Sequence, residues 1–139
     1  MIRDYIEPQN LSIIRQKKTL FEVMDLLASR LGMEGVEHTI NGNPESGYAM
    51  LEAGSHCLIP HIRRSDFEIS KAALAIIPGG ISFNNRTVRV ILLLASPIDD
   101  TSGQIMLLEK FAALLPDVEP DILDSRTETR ALEILELGE

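Results

Sequence analysis

The ten residues from Ser55 to Arg64, SHCLIPHIRR, gather most of the reactive side chains of this chain. They hold His56 and His61, two of the three histidines, together with the single cysteine, Cys57, and the adjacent Arg63 and Arg64. A zinc site is the first chemistry to test, because imidazole and thiolate are its usual ligands. The spacing does not supply one. His56 and Cys57 are neighbours, which a strand sends to opposite faces, and the only other histidine is the distant His38. A cysteine nucleophile is the second. It requires an imidazole or a cation to lower the thiol pKa, whereas Cys57 runs into Leu58 and Ile59 and reads as a small buried hydrophobe. His38, in a polar turn, reads as a solvated surface residue.

His61 stands apart from these. The apolar run Leu58-Ile59-Pro60 closes just before it, and Pro60 fixes the backbone where the chain is expected to leave its strand. That places His61 near the C-terminal end of a strand, where open α/β sheets tend to hold ligands. Arg63 and Arg64 add local positive charge. On the residues alone, a functional imidazole and a structural loop histidine both stay open.

The elements that must position these groups can be read from periodicity and caps. Leu11 to Ile14 form a short apolar stretch. Thr19 followed by Glu22 makes a capping box, and Leu20, Met24, Leu27 and Leu31 mark the apolar face of a helix ending at Gly32. Turn chemistry follows in Asn41-Gly42 and Asn43-Pro44, with a short helix expected over 45–53. The runs from Ala72 to Ile77 and from Val88 to Ala95 are apolar without alternation, the pattern of strands buried on both faces, and PGGISFNNRT separates them.

The segment DDTSGQ offers several N-caps for a helix in which Ile105, Leu108, Phe111, Ala112 and Leu115 recur until Pro116 stops it. A last helix is expected from a capping box of Ser125 with Glu128, with Leu132, Ile134 and Leu135 on its apolar face. The order predicts an α/β fold: a central mixed, mostly parallel sheet flanked by helices. No repeat, low-complexity tract or linker divides the 139 residues, so a single domain over 1–139 is expected.

Composition narrows the partners. The net charge is −8, and eight acids against Arg126 and Arg130 put −6 of it between Pro116 and Glu139. Only 4% of residues are aromatic and no basic stripe exists, so the electrostatic footprint and stacking platforms of a nucleic-acid binder are missing. Apolar runs such as Val90 to Ala95 fall far short of the roughly 18 to 20 residues that span a bilayer. The opening MIRDYIEPQN lacks the pattern of a secretory signal, and a lone cysteine forms no intrachain disulfide, so a reducing cytoplasm is the expected location.

The segments HCLIPHIR, AALAIIPGGISF, VRVILLLASP and QIMLLEKFAALL, taken in order and spacing, resemble the enzyme IIA domain of the bacterial phosphoenolpyruvate-dependent phosphotransferase system, of the fructose/mannitol and nitrogen-regulatory type. The opening IRDYIEPQNLSIIRQKKTLFEVMDLLASRLG is similar to that family's first helix unit, and the likeness is weakest between Met33 and Ser55. The resemblance implies that His61, in CLIPHIR, is the phosphoacceptor, with Arg63 at the family's basic position. Two departures stand out. Where the family has a second histidine, this chain has Gln104, and no arginine lies between Gly32 and His61 where the family has an Arg-Glu pair.

A phosphohistidine adds nearly two negative charges, which need oriented donors. The amide of Gln104, the helix start near Ser102, and Arg63 or Arg64 are the candidates here. The resemblance implies a phosphoryl donor, the histidine-containing phosphocarrier protein, and as acceptor an enzyme IIB cysteine or, in the nitrogen-regulatory branch, often no sugar transporter. It implies no metal and no organic cofactor. The alternatives are a degenerate regulatory binding module of the same fold and an unrelated α/β enzyme using Cys57 and His61.

Overall fold

The computed structural model describes residues 2–36 and 38–139. Two single turns of 3₁₀ helix, Ile2–Asp4 and Pro8–Asn10, lead into β1 (Leu11–Ile13), α1 (Leu20–Arg30), β2 (Ala49–Ala53), β3 (Cys57–Arg64), β4 (Lys71–Phe83), β5 (Arg86–Pro97), α2 (Thr101–Leu123) and α3 (Glu128–Gly138). The five strands form one mixed sheet in the order β1-β4-β5-β3-β2. β1 runs parallel to β4 and β3 parallel to β5, while β4 with β5 and β2 with β3 are antiparallel.

Alternation along the strands sorts the core into two layers. Ile59, Leu74, Ile76, Leu92 and Leu94 meet Phe111, Leu115, Leu132 and Leu135 of α2 and α3. Leu58, Ile62, Ala75, Ile91 and Leu93 meet Val23, Met24 and Leu27 of α1 on the opposite face. The central strands β4 and β5 are therefore apolar on both sides, as their unbroken runs predict.

Both β4 and β5 extend beyond those runs. They join through Asn84-Asn85, both at positive φ (48° and 61°), the backbone that a two-residue hairpin turn demands. PGG is not a separator but a bulge. The pairing passes from Ile76↔Val90 to Ile81↔Val88, so β4 carries the extra residues, and Gly80 takes φ +75° where a Cβ would come within 2.5 Å of Thr87 Cγ2.

The capping box of α1 forms as expected, with Thr19 accepting from the Glu22 N–H and the Glu22 carboxylate accepting from the Thr19 N–H. The helix expected over 45–53 is instead the edge strand β2, paired from Ala49↔His61 to Ala53↔Cys57. Its alternation, with Leu51 and Ala53 toward one core layer and Met50 toward the other, has period two, and pairing with β3 overrides local propensity. Pro116 does not stop α2, which passes through it and Pro120 to Leu123. Phe111, Leu115, Val118 and Ile122 keep its buried face continuous across the prolines. The cap of α3 is Thr127, which accepts from the Arg130 N–H, while Ser125 donates its hydroxyl to the Asp121 carbonyl.

Candidate functional site

β3 does not end at Pro60. His61 pairs with Ala49 on one side and Leu94 on the other, and the strand continues to Arg64. Pro60 costs the strand one N–H donor. Residues 57, 59, 61 and 63 share a face. Cys57 and Ile59 on that face pack in the layer covered by α2 and α3, so His61 and Arg63 stand on the helix side, close to where α2 begins.

His61 is half-buried. Its Nδ1 lies 3.1 Å from the Ile59 carbonyl oxygen, a contact that is a hydrogen bond only when Nδ1 carries the proton. Nε2 is then left with its lone pair. Burial holds the ring below its ordinary 6.5, opposed by the Ile59 hydrogen bond and reinforced by the Arg63 charge. The result is an imidazole biased toward its neutral form, with no hydrogen bond to Nε2 among the described residues, beside a cation.

Arg63 is 13% exposed and is fixed from two sides. Its Nη1 donates to the Thr101 hydroxyl, in the first turn of α2, and its Nη2 lies 3.4 Å from Glu45 Oε1. Its Nε is buried with no hydrogen-bond partner among the described residues. Arg64 follows the alternation to the other face, where Asp66 holds it through two hydrogen bonds of 2.8 and 3.0 Å. The structure thus brings Arg63, not Arg64, to the face of His61.

Gln104 is 3% exposed and donates an amide N–H to the Ile62 carbonyl at 3.0 Å, tying α2 to the backbone of β3 next to His61. Ser102 is exposed in the first turn of α2. That turn is tight: Asp100 caps it by accepting from the Gly103 N–H, and a Cβ on Gly103 would come within 2.2 Å of the Asp100 carboxylate.

Two neighbours of His61's arginine, Glu45 and Thr101, were not singled out by the sequence. Thr101 lay inside the recognised capping segment, and Glu45 follows the Asn43-Pro44 turn. What joins them to the site is a tertiary contact with no local signal.

The remaining reactive groups fall elsewhere. Cys57 is 2% exposed and its thiol is pushed up to about 12, mainly by burial and then by the Glu119 charge, so it is not a thiolate nucleophile. His56 Nδ1 meets Glu119 Oε1 at 2.7 Å. His38 is more than a solvated side chain: its Nε2 meets Asp25 Oδ1 at 2.6 Å and its ring stacks on Phe21 at 4.7 Å between centroids. Among the described residues, no group of three His, Cys, Asp or Glu side chains is placed to hold a metal ion. Nor is any helix among them long and apolar enough to cross a membrane.

Comparison with known proteins adds three findings. The profile of the family described as phosphoenolpyruvate-dependent sugar phosphotransferase system, EIIA 2, matches residues 6–137. The fold is similar to the crystal structure of the nitrogen regulatory protein IIA-Ntr from Neisseria meningitidis, with a TM-score of 0.72 and 14% identity over 96% of this chain and 98% of that one. It is also similar to the solution structure of the mannitol-specific cryptic phosphotransferase enzyme IIA CmtB from Escherichia coli, with a TM-score of 0.66 and 18% identity over 98% of each chain. No curated protein matches the sequence significantly.

Proposed function

Because the chain belongs to the EIIA 2 family of the phosphoenolpyruvate-dependent sugar phosphotransferase system, we propose that it is a cytoplasmic phosphocarrier that receives a phosphoryl group on His61. The donor is the histidine-containing phosphocarrier protein. The acceptor is an enzyme IIB cysteine, or the phosphoform itself acts as a signal in nitrogen-type regulation.

The observation that carries this reading is the state of the His61 ring. With Nδ1 donating to the Ile59 carbonyl, Nε2 keeps its lone pair, and burial opposes its protonation. In the transfer, Nε2 attacks phosphorus and an N–P bond forms. The bond from phosphorus to the donor's imidazole nitrogen breaks, and the donor ring keeps that electron pair. No net proton is taken up, because the receiving ring gains the positive character that the donor ring loses. Arg63 on the same face and the start of α2 supply positive potential for the phosphoryl oxygens. Gln104 steadies this arrangement through the Ile62 carbonyl it holds, and the exposed Ser102, in the first turn of α2, offers a hydroxyl donor to a phosphoryl oxygen.

Incubation with phosphoenolpyruvate, enzyme I and the phosphocarrier protein is expected to add one acid-labile phosphoryl mass to the wild type and none to His61→Ala. An unchanged intact mass with competent donors refutes the carrier.

A second reading, a regulatory module acting by contact alone, draws on one observation: Gln104, at the position of the family's second histidine, is buried against β3. Partner capture that is identical for wild type, His61→Ala and a phosphorylated sample favours that module.

A further inference from the structure

The segment before β2 closes over the end of β3. The Arg63 N–H donates to the Pro44 carbonyl at 2.7 Å, where the β2 pairing has already ended. The turn is internally braced: Asn41 Oδ1 accepts from the Asn43 N–H, Asn43 Oδ1 accepts from the Glu45 N–H, and Asn41 Nδ2 donates to the Ser46 hydroxyl. This brace delivers the Glu45 carboxylate to Arg63, the cation on the His61 face.

The two sides of that ion pair are unequal. The arginine is 13% exposed and the glutamate 51%, and they meet through one oxygen at 3.4 Å. The arginine is fixed by Thr101 and the strand, while the carboxylate is half in water. The Nε donor, meanwhile, has no acceptor among the described residues. Arg63 is thus a largely buried cation with unused donor capacity whose only acidic partner among the described residues is a loosely held surface group.

We propose that Glu45 is an internal stand-in anion: it balances Arg63 while His61 is free, and a phosphoryl group on His61 competes with it for the guanidinium. This rests on the phosphocarrier reading and goes beyond it, since it assigns the turn at 41–46 a role in setting how readily the phosphoform accumulates. Glu45 is a positioning residue, acting through Arg63. Its carboxylate repels the phosphoryl dianion and occupies the donors that dianion uses, so removing the charge favours the phosphoform.

The test is the equilibrium of phosphoryl exchange between the phosphorylated phosphocarrier protein and this chain, read by intact mass. Glu45→Gln, which keeps the side-chain length without the charge, is expected to shift it toward the phosphoform by about 2- to 5-fold, the scale of a half-exposed ion pair. In an Arg63→Met background the same substitution is expected to produce a smaller shift, because the competition needs the cation. In the wild type, phosphorylation is expected to speed hydrogen exchange at the Glu45 amide as the carboxylate is displaced. A Glu45→Gln equilibrium that is unchanged, or that moves toward the free form, overturns the proposal, as does an equal shift with and without Arg63. If the wild type takes up no phosphoryl group at all, the parent reading fails and this one falls with it, an outcome distinct from the other two.

Discussion

Replacing Gln104 by Met separates two roles that one side chain can have: holding β3 in place or holding a phosphoryl group. The side chain is 3% exposed, and its amide donates to the Ile62 carbonyl at 3.0 Å. Methionine has nearly the same length and fills the space with little rearrangement. What disappears is one buried hydrogen bond, with a net value of about 0.5 to 1.5 kcal/mol, plus part of the cost of leaving a buried carbonyl short of an acceptor's partner, about 1 to 3 kcal/mol when complete. Because Ile62 also sits within a paired strand, the expected loss is about 1 to 2 kcal/mol. For a chain of 139 residues that corresponds to a Tm lowered by about 3 to 7 °C. Urea titration and thermal melting followed by circular dichroism measure the loss, and phosphoryl uptake by mass spectrometry measures the site. A variant with wild-type stability but strongly impaired uptake refutes the clamp and returns Gln104 to direct contact with phosphate.

Three further outcomes are expected. By NMR, the ring of His61 is expected to titrate below its ordinary 6.5. Between the folded value and 6.5 the unfolded chain binds more proton, so the contribution of His61 to stability is complete above 6.5 and is lost as pH falls toward the folded value; a midpoint above 6.5 contradicts the burial argument. Cys57 is expected to resist iodoacetamide at pH 8 in the folded protein and to react in urea, since it is buried with its thiol pushed up to about 12; rapid native alkylation contradicts this. Gly54→Ala is expected to destabilise by roughly 1 to 3 kcal/mol in urea titration, because Gly54 takes φ +62° and a Cβ there would come within 2.9 Å of the Pro116 ring; an unchanged midpoint means that the turn relaxes freely.

What could be read from the sequence divides along a physical line. Features written in neighbouring residues were legible: the Thr19–Glu22 cap, the apolar face of α1, the doubly buried β4 and β5, and the Pro60-His61 motif. Features set by distant partners were not. The Ala49–Ala53 segment is helix-compatible on its own and becomes a strand because β3 offers it an edge. Likewise, Pro116 ought to end a helix, yet the buried side chains after it keep α2 on the sheet. The site shows the same division. His61 and Arg63 stood out in the motif, but beyond an expected strand end at Pro60, and only the pairing of β3 to Arg64 puts them on one face; Glu45 reaches Arg63 only through a turn whose placement depends on the sheet, and Arg64 leaves the site because alternation turns it to the other face.

The strand order has a consequence for the chain as it is being made. β3, which carries His61, lies between β2 and β5, and β5 is the last strand of the sheet to leave the ribosome. Until β4 has emerged, the newly made chain has only the β2–β3 pair and β1 has no partner, and until β5 has emerged β3 keeps a bare, apolar edge. The sheet then closes by inserting the β4–β5 hairpin between β1 and β3, an assembly dominated by pairings distant in sequence and correspondingly slow. The surroundings of His61 are complete only after that, once α2 has been translated and has laid its first turn beside Arg63. A nascent chain stalled within β5 would carry its histidine and lack the surroundings that give it a chemistry.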